Sequence, residues 1–377
     1  MNKRAHQANK PDRQTCCQPA VQIGDRDVSK LSRHWISGTI QTPVGQVPVV
    51  TTRLLSSDKI GSYKARWGVG RMASRVEPGL YAVGRPTDKS PVLVSANYKM
   101  SFDRLRSCLN GTDSWILVIN THGINVWCAA GKGTFGTDEI VARVRSVRLS
   151  EVVSHRKLIL PQLGAAGVAA HEVKKYSGFR VRYGPIRARD IQAFLEADMK
   201  TTPEMRQVRF GIRERIVLIP AELVLSAKYA LCAAVCFMLL SGLGPGVYSL
   251  DRIAEYGMAS GLLILLAYVA GTTVPPALLP WLPGRSFSIK GVWVGIILAA
   301  GIWWYASHSP ETFRNQWSVA GWLVIVPVVS SFLAMNFTGS STYTSLSGVL
   351  KEMRVALPIQ ICCAVIGVGL WTIGLFV

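Results

Sequence analysis

Acidic side chains are scarce in this chain, which holds 22 Asp+Glu against 42 Lys+Arg for a formal net charge of +20. Charge of either sign nearly vanishes after Arg215, where only 7 basic and 5 acidic groups remain. With 49% of residues hydrophobic, the composition excludes a disordered tail protein and an ordinary soluble enzyme. Met1 to Gln22 is polar and lacks an apolar signal-peptide core, so the N-terminal part is expected to stay in the cytoplasm. No CxxC pair occurs among Cys16, Cys17, Cys108, Cys128, Cys232, Cys236, Cys362 and Cys363. That usage excludes a disulfide framework or a zinc site and fits a reducing compartment. Neither an RNP sequence nor a helix-turn-helix pattern accompanies the basic surplus, so anionic lipid, and not nucleic acid, is its expected partner.

Beyond Arg215 the chain is dominated by long apolar runs. Five stretches, roughly 224–243, 257–279, 289–307, 317–337 and 355–377, approach or exceed the ~20 residues a helix needs to cross a ~30 Å hydrocarbon core. A membrane domain of five spans over residues 216–377 is therefore expected, against the alternative of a large buried helical core. Trp281, Trp303, Trp304, Trp317, Trp322 and Trp371 lie near the proposed ends, as an interfacial aromatic belt would place them. With the basic part in the cytoplasm, the inward connectors carry Arg285, Lys290, Lys351 and Arg354, twice the basic residues of the outward ones. The carboxyl terminus then emerges on the far side. Cys232 and Cys236, one helical turn apart in the first span, read most simply as small membrane-compatible residues, with a soft-metal relay as the sharper alternative.

Residues 1–215 carry 35 basic and 17 acidic groups. Residues 1–33 read as a polar extension and 34–215 as a folded domain. Apolar runs at 91–97 (PVLVSAN), 115–120 (WILVIN), around 157–160 and at 179–183 read as strands. Helical patterns at 101–109, 137–146, 167–176 and 187–198 fall between and after them. This alternation predicts an α/β domain with a parallel or mostly parallel sheet and helices on both faces. Thr137 is placed to cap its helix, with Asp138 and Glu139 in the first turn. Ligands of such sheets settle beyond the carboxyl ends of the strands, which directs attention to the loops after Val94, Ile119 and Leu160.

The loop after Leu160 is small and flexible, and its amides, around Gly164 and Gly167, suit either an anionic group of a cofactor or a plain turn. It has neither GxGxxG spacing nor a Walker lysine. The loop after Ile119 is more unusual, with Cys128 between Trp127 and two alanines, Ala129 and Ala130, inside a glycine-bounded segment. A lone cysteine of this kind is often a buried structural residue. Small neighbours nevertheless let a large planar ligand approach, and Lys132, four residues on, favours a thiolate.

Residues 125–132 read NVWCAAGK, which matches letter for letter the signature of the mercury-methylation corrinoid protein family, membrane-bound relatives of the corrinoid iron-sulfur protein of the acetyl-CoA pathway. The resemblance extends through PGLYAVG (78–84), PVLVSANYK (91–99), GKGTFGTDE (131–139), HRKLILPQLGAAGVAAHEV (155–173) and YGPIRARDI (183–191) to the five-span tail. It covers the chain from about His34 onward.

The resemblance implies a Rossmann-like corrinoid-binding domain in which the signature forms a short cap helix beside the corrin ring. Cys128 would supply the lower axial cobalt ligand of a base-off cobalamin-type corrinoid. Asn125, Val126, Trp127, Ala129, Ala130, Gly131 and Lys132 would shape the cap, and Gly164 and Gly167 would line the cofactor. Ser95 stands where family members often have Thr, so its hydroxyl is expected to bond near the corrin.

The implied reaction moves a methyl group from methyl-Co(III) corrinoid to Hg(II), giving methylmercury. Hg(II) is an electrophile, so the methyl must leave with both bonding electrons, and a thiolate, a strong σ-donor, stabilises the Co(III) left behind. No cysteine-rich cluster motif is present to restore the cobalt. The implied partners are therefore a small ferredoxin with two [4Fe-4S] clusters, as electron donor and as Hg(II) donor, and a methylated folate as methyl source. The tail would anchor the protein in the cytoplasmic membrane and support a homodimer. Two other readings stand beside this one: a corrinoid methyl carrier of one-carbon metabolism that does not act on mercury, and a membrane transporter or sensor with a basic cytoplasmic domain.

Overall fold

The computed structural model describes residues 33–71, 73–337 and 346–377. The expected polar extension, with Cys16 and Cys17, lies outside the described residues apart from Arg33. The chain divides into two compact units, Met1–Ala65 with Gly70–Gln207, and Arg66–Val69 with Val208–Val377.

The first unit is a mixed α/β domain around a seven-stranded sheet. Its strands are β1 (Ile36–Thr42), β2 (Gly45–Val50), β3 (Gly79–Val83), β4 (Val92–Ala96), β5 (Ser114–Ile119), β6 (Lys157–Leu160) and β7 (Arg180–Tyr183). The spatial order is β1-β2-β3-β5-β4-β6-β7. From β5 to β7 the sheet is parallel, as the βα alternation predicts. Its other half is not: β3 runs antiparallel to β5, and β1 and β2 form an antiparallel hairpin whose second strand lies parallel to β3. These first three strands carry few of the long apolar runs that made the later ones visible, so the sequence reading missed them.

Strand parity sorts the core into two faces. Val92, Val94, Ala96, Trp115, Leu117, Ile119, Leu158 and Leu160 share one cluster. It receives α4 (Thr137–Ser146) through Ile140 and Val144, and α6 (Ala170–Ser177) through Val173. Leu93, Ile116, Val118 and Ile159 face the other cluster, which receives Phe102 and Leu105 from the helix Lys99–Ser107, and Ile191 and Phe194 from the helix Ile191–Glu196. The helix expected at 167–176 begins at Ala170, two extended residues after a separate 3-10 turn, Gln162–Gly167, whereas the one expected at 187–198 opens as a 3-10 turn, Ala188–Asp190, that runs on into α-helix. Thr137 does not cap α4. Gly136 is the N-cap residue, and the Thr137 Oγ1 accepts instead from the Ala169 amide at 2.9 Å, tying the start of α4 to the start of α6.

The chain leaves β4 for β5 on one side, then crosses back to β6 on the other, which puts a topological switch between β4 and β6. A ligand crevice in an open α/β sheet belongs at the carboxyl ends of such strands.

Among the described residues, the second unit has five helices long and apolar enough to cross a membrane, in segments Ile212–Leu240, Leu250–Ala277, Phe287–His308, Gln316–Asn336 and Gly348–Phe376. Their packing relies on small residues that let backbones approach. A Cβ on Gly295 would lie 2.3 Å from the Pro327 Cα, and one on Gly291 would lie 2.5 Å from the Ser330 carbonyl oxygen. Four of the six belt tryptophans, Trp281, Trp303, Trp304 and Trp317, are exposed. Trp322 and Trp371 are buried instead, both packed on Phe237 in the bundle core, so they anchor helix packing and not an interface. Lys290, expected in a connector, lies inside the third segment, where its Nζ donates to the Leu279 carbonyl at 2.7 Å and to that of Leu282. It thereby satisfies carbonyls of the turn that follows the second helix.

Candidate functional site

The segment between β5 and α4 begins on a polar hub. Asn97, at the end of β4, is only 3% exposed, and its Oδ1 accepts from the Thr121 amide (3.0 Å), the Thr121 hydroxyl (2.9 Å) and the Gly123 amide (2.9 Å). Asn120 is held from the other direction, its amide donating to Glu139 Oε1 at 2.8 Å. His122 and Gly123 both adopt positive φ, 56° and 76°. A Cβ on Gly123 would lie 2.7 Å from Arg75 Nε, so both conformation and space call for glycine there. The turn delivers the chain into α3 (Val126–Gly131).

Asn125 caps this six-residue helix with its side-chain oxygen, which accepts from the Cys128 amide at 2.9 Å. The cap fixes the backbone of the cysteine itself. Ala129 and Ala130 point into the core, Cys128 is half-buried and without a disulfide partner, and Trp127 is 39% exposed. After α3 the chain folds back sharply, and the amides of Thr134 and Phe135 both donate to the Ala129 carbonyl, at 2.9 and 3.1 Å. Lys132 is the C-cap residue and is exposed, as are Gly131 and Gly133.

The 3-10 turn Gln162–Gly167, at the carboxyl end of β6, packs directly on α3. A Cβ on Gly167 would come within 2.3 Å of the Phe135 carbonyl oxygen and 3.0 Å of the Ala130 Cα. One on Gly164 would come within 2.5 Å of the Phe135 ring. Gly167 therefore holds the turn against the cysteine helix and Gly164 holds it against Phe135 just beyond that helix, so the nearest neighbours of both are protein atoms. Behind this contact the Tyr183 hydroxyl donates to the Val168 carbonyl at 3.0 Å, and burial pushes its pKa up.

The candidate residues from 125 to 132 are thus brought together with Gly164 and Gly167 at the switch point. Ser95 is not. By strand parity it lies on the sheet face of Leu93, opposite the cluster that holds Ala129 and Ala130, and its buried hydroxyl donates to the Ala96 carbonyl at 3.1 Å. Sequence reasoning missed Asn97, Thr121, Phe135 and the link from Glu139 to Asn120. A polar Asn ending an otherwise apolar strand was the available signal for the first.

The site fits a corrinoid on two observations. A Cβ on Gly131 or Gly133 would meet nothing within 4 Å, which leaves open surface beside Cys128. The donor is a thiol on a helix that its own cap and the core beneath hold in place, and thiolate sulfur is a ligand for soft and borderline metals. Among the described residues, no group of three or more His, Cys, Asp or Glu side chains could hold a metal ion.

Residues 69–195 match the family described as CO dehydrogenase/acetyl-CoA synthase delta subunit. The chain is 30% identical over 128 residues to the acetyl-CoA decarbonylase/synthase complex subunit gamma of Archaeoglobus fulgidus, covering 33% of this chain and 27% of that subunit. It is 31% identical over 130 residues to the corresponding subunit of Methanopyrus kandleri, covering 34% and 28%. Against the corrinoid/iron-sulfur protein large subunit of Moorella thermoacetica the identity is 30% over 127 residues, covering 33% and 28%. The chain spans little more than a quarter of each relative's length, and the family match over residues 69–195 contains every candidate site residue. At this level the relatives favour one-carbon corrinoid chemistry over any statement about mercury.

Proposed function

We propose that this chain is a membrane-anchored corrinoid protein that transfers a methyl group, with the Cys128 thiolate as the lower ligand of the cobalt. The carrying observation is the Cys128 helix itself, capped by Asn125 at the switch point and flanked by open surface. The corrinoid/iron-sulfur protein among the relatives supports the cofactor class. When bound, the corrinoid supplies a methyl group carried on cobalt.

This chain's own residues position the cysteine. Asn125 holds the Cys128 backbone, Ala129 and Ala130 seat the helix on the core, and Trp127 and Lys132 border the exposed side. Cys128, half-buried and free of a disulfide, would hold the cobalt through its sulfur. The N-terminal domain would sit on the cytoplasmic face, with a dicluster ferredoxin and a methylated folate as partners.

For the acceptor, the NVWCAAGK signature at 125–132 supports Hg(II). The relatives support a second reading, a methyl carrier of one-carbon metabolism. Anaerobic incubation of the purified protein with methylcobalamin, Hg(II) and a low-potential reductant separates the two. Methylmercury should form with wild type and be lost in Cys128→Ala, whose corrinoid absorption spectrum should also shift. Unchanged yield and spectrum in the variant would overturn the axial thiolate, and absence of methylmercury with an intact wild-type corrinoid spectrum would favour the carrier.

A further inference from the structure

Arg215 lies in the short helix Ile212–Ile216 that opens the first membrane segment. It is 2% exposed, and two of its guanidinium nitrogens, Nε and Nη1, are enclosed without a hydrogen-bond partner. No carboxylate among the described residues forms an ion pair with it. Its guanidinium carbon sits 5.5 Å from the centroid of the Trp281 ring, which is itself 65% exposed. Lys290, the other buried cation of this unit, spends its charge on two backbone carbonyls. Arg215 has no such outlet.

An arginine stays cationic, and burying a cation without a counter-ion is strongly unfavourable. The planar guanidinium fork matches a phosphate oxyanion, with which it forms paired, charge-assisted hydrogen bonds. The start of a membrane helix lies at headgroup depth, where an exposed tryptophan also belongs. Exposed Arg209, Arg213 and Arg285 add positive potential at this end of the unit.

From this we infer that Arg215 is the receptor for the phosphodiester headgroup of an anionic phospholipid, with Trp281 stacked on the guanidinium. The inference rests on the membrane-spanning reading of the second unit, and on no part of the corrinoid reading.

The test uses the full chain in nanodiscs of phosphatidylcholine alone or mixed with phosphatidylglycerol, read by thermal melting and by native mass spectrometry of retained lipid. Wild type should melt higher with phosphatidylglycerol and retain it. Arg215→Met should lose both effects while staying folded in phosphatidylcholine, because it removes an unpaired buried charge at nearly constant volume. Arg215→Lys, which keeps the charge without the fork, should retain the lipid roughly tenfold more weakly. Equal responses of wild type and both variants to phosphatidylglycerol would overturn the site. Stabilisation of wild type by inorganic phosphate in phosphatidylcholine discs would overturn the lipid as the source of the anion. Carbonate extraction of wild-type membranes tests the spanning reading separately, since release into the soluble fraction would sink that reading alone.

Discussion

Two asparagines position one cysteine. Asn125 acts on the Cys128 amide directly, and Asn97 acts from the neighbouring strand by gathering three donors of the approaching turn. Replacing Asn125 by Ala removes a helix cap and should cost about 1 kcal/mol. Replacing Asn97 by Ala leaves buried Thr121 and Gly123 donors without an acceptor and should cost roughly 1–3 kcal/mol. Cys128→Ala, at a half-exposed position, should shift stability by no more than about 0.5 kcal/mol. Thermal melting without corrinoid checks this order. A Cys128→Ala loss larger than that of Asn97→Ala would mean that the cysteine is structural. Asn97 was not singled out by the sequence reading because its role depends on donors 24 and 26 residues away.

At the scale of elements, the contact that matters is the 3-10 turn Gln162–Gly167 against α3. Gly167→Ala drives a methyl group into the Phe135 carbonyl, which is backbone and cannot rotate away. Separation of the two segments should cost about 1–3 kcal/mol and disturb the cysteine helix with it. Gly131→Ala is the matched control, because its Cβ would meet nothing within 4 Å and a stable, folded protein should result. Loss of corrinoid binding in Gly131→Ala, with melting unchanged, would show the macrocycle lying over that residue. Binding retained at wild-type affinity would place the ring elsewhere. The loop sequence Gly164-Ala165-Ala166-Gly167 was legible as small and flexible, but equally as a cofactor loop or a turn. Only the partner helix distinguishes a glycine needed for close packing from one needed for a ligand.

At the scale of the whole molecule, the N-terminal unit contains a buried ionic network far from the cysteine helix in the sequence. Asp58, with its side chain 1% exposed, accepts from Lys99 at 2.8 Å and from Arg106 at 2.9 Å, and pairs with His34 at 2.7 Å. Asp103 binds the same Lys99 and Arg106. Burial alone would push the Asp58 pKa up, but hydrogen bonds from Lys99, His34 and the Leu55 amide outweigh it and hold the carboxyl well below the usual carboxylate range. A depressed carboxylate contributes stability that is complete above its unfolded pKa of about 4 and is lost as pH falls toward the folded value. Melting temperature should therefore drop steeply below about pH 4, and Asp58→Asn should flatten that limb at the expense of stability near neutrality. An acid limb of equal slope in the variant would assign the loss to other carboxylates.

The division into a basic α/β domain and a charge-poor helical part was readable from the sequence alone, because composition and hydrophobic period are local properties. The same holds for four of the strands, for α4 to the residue, and for five helices long enough to span a membrane. Tertiary structure decided the rest. It turned β3 antiparallel to β5, buried Trp322 and Trp371 in the bundle, put Ser95 on the face away from the cysteine helix, and enclosed two guanidinium nitrogens of Arg215 without a hydrogen-bond partner among the described residues. Each of these depends on what a residue meets from a distant part of the chain, and neither a run of apolar residues nor a helical period records that partner.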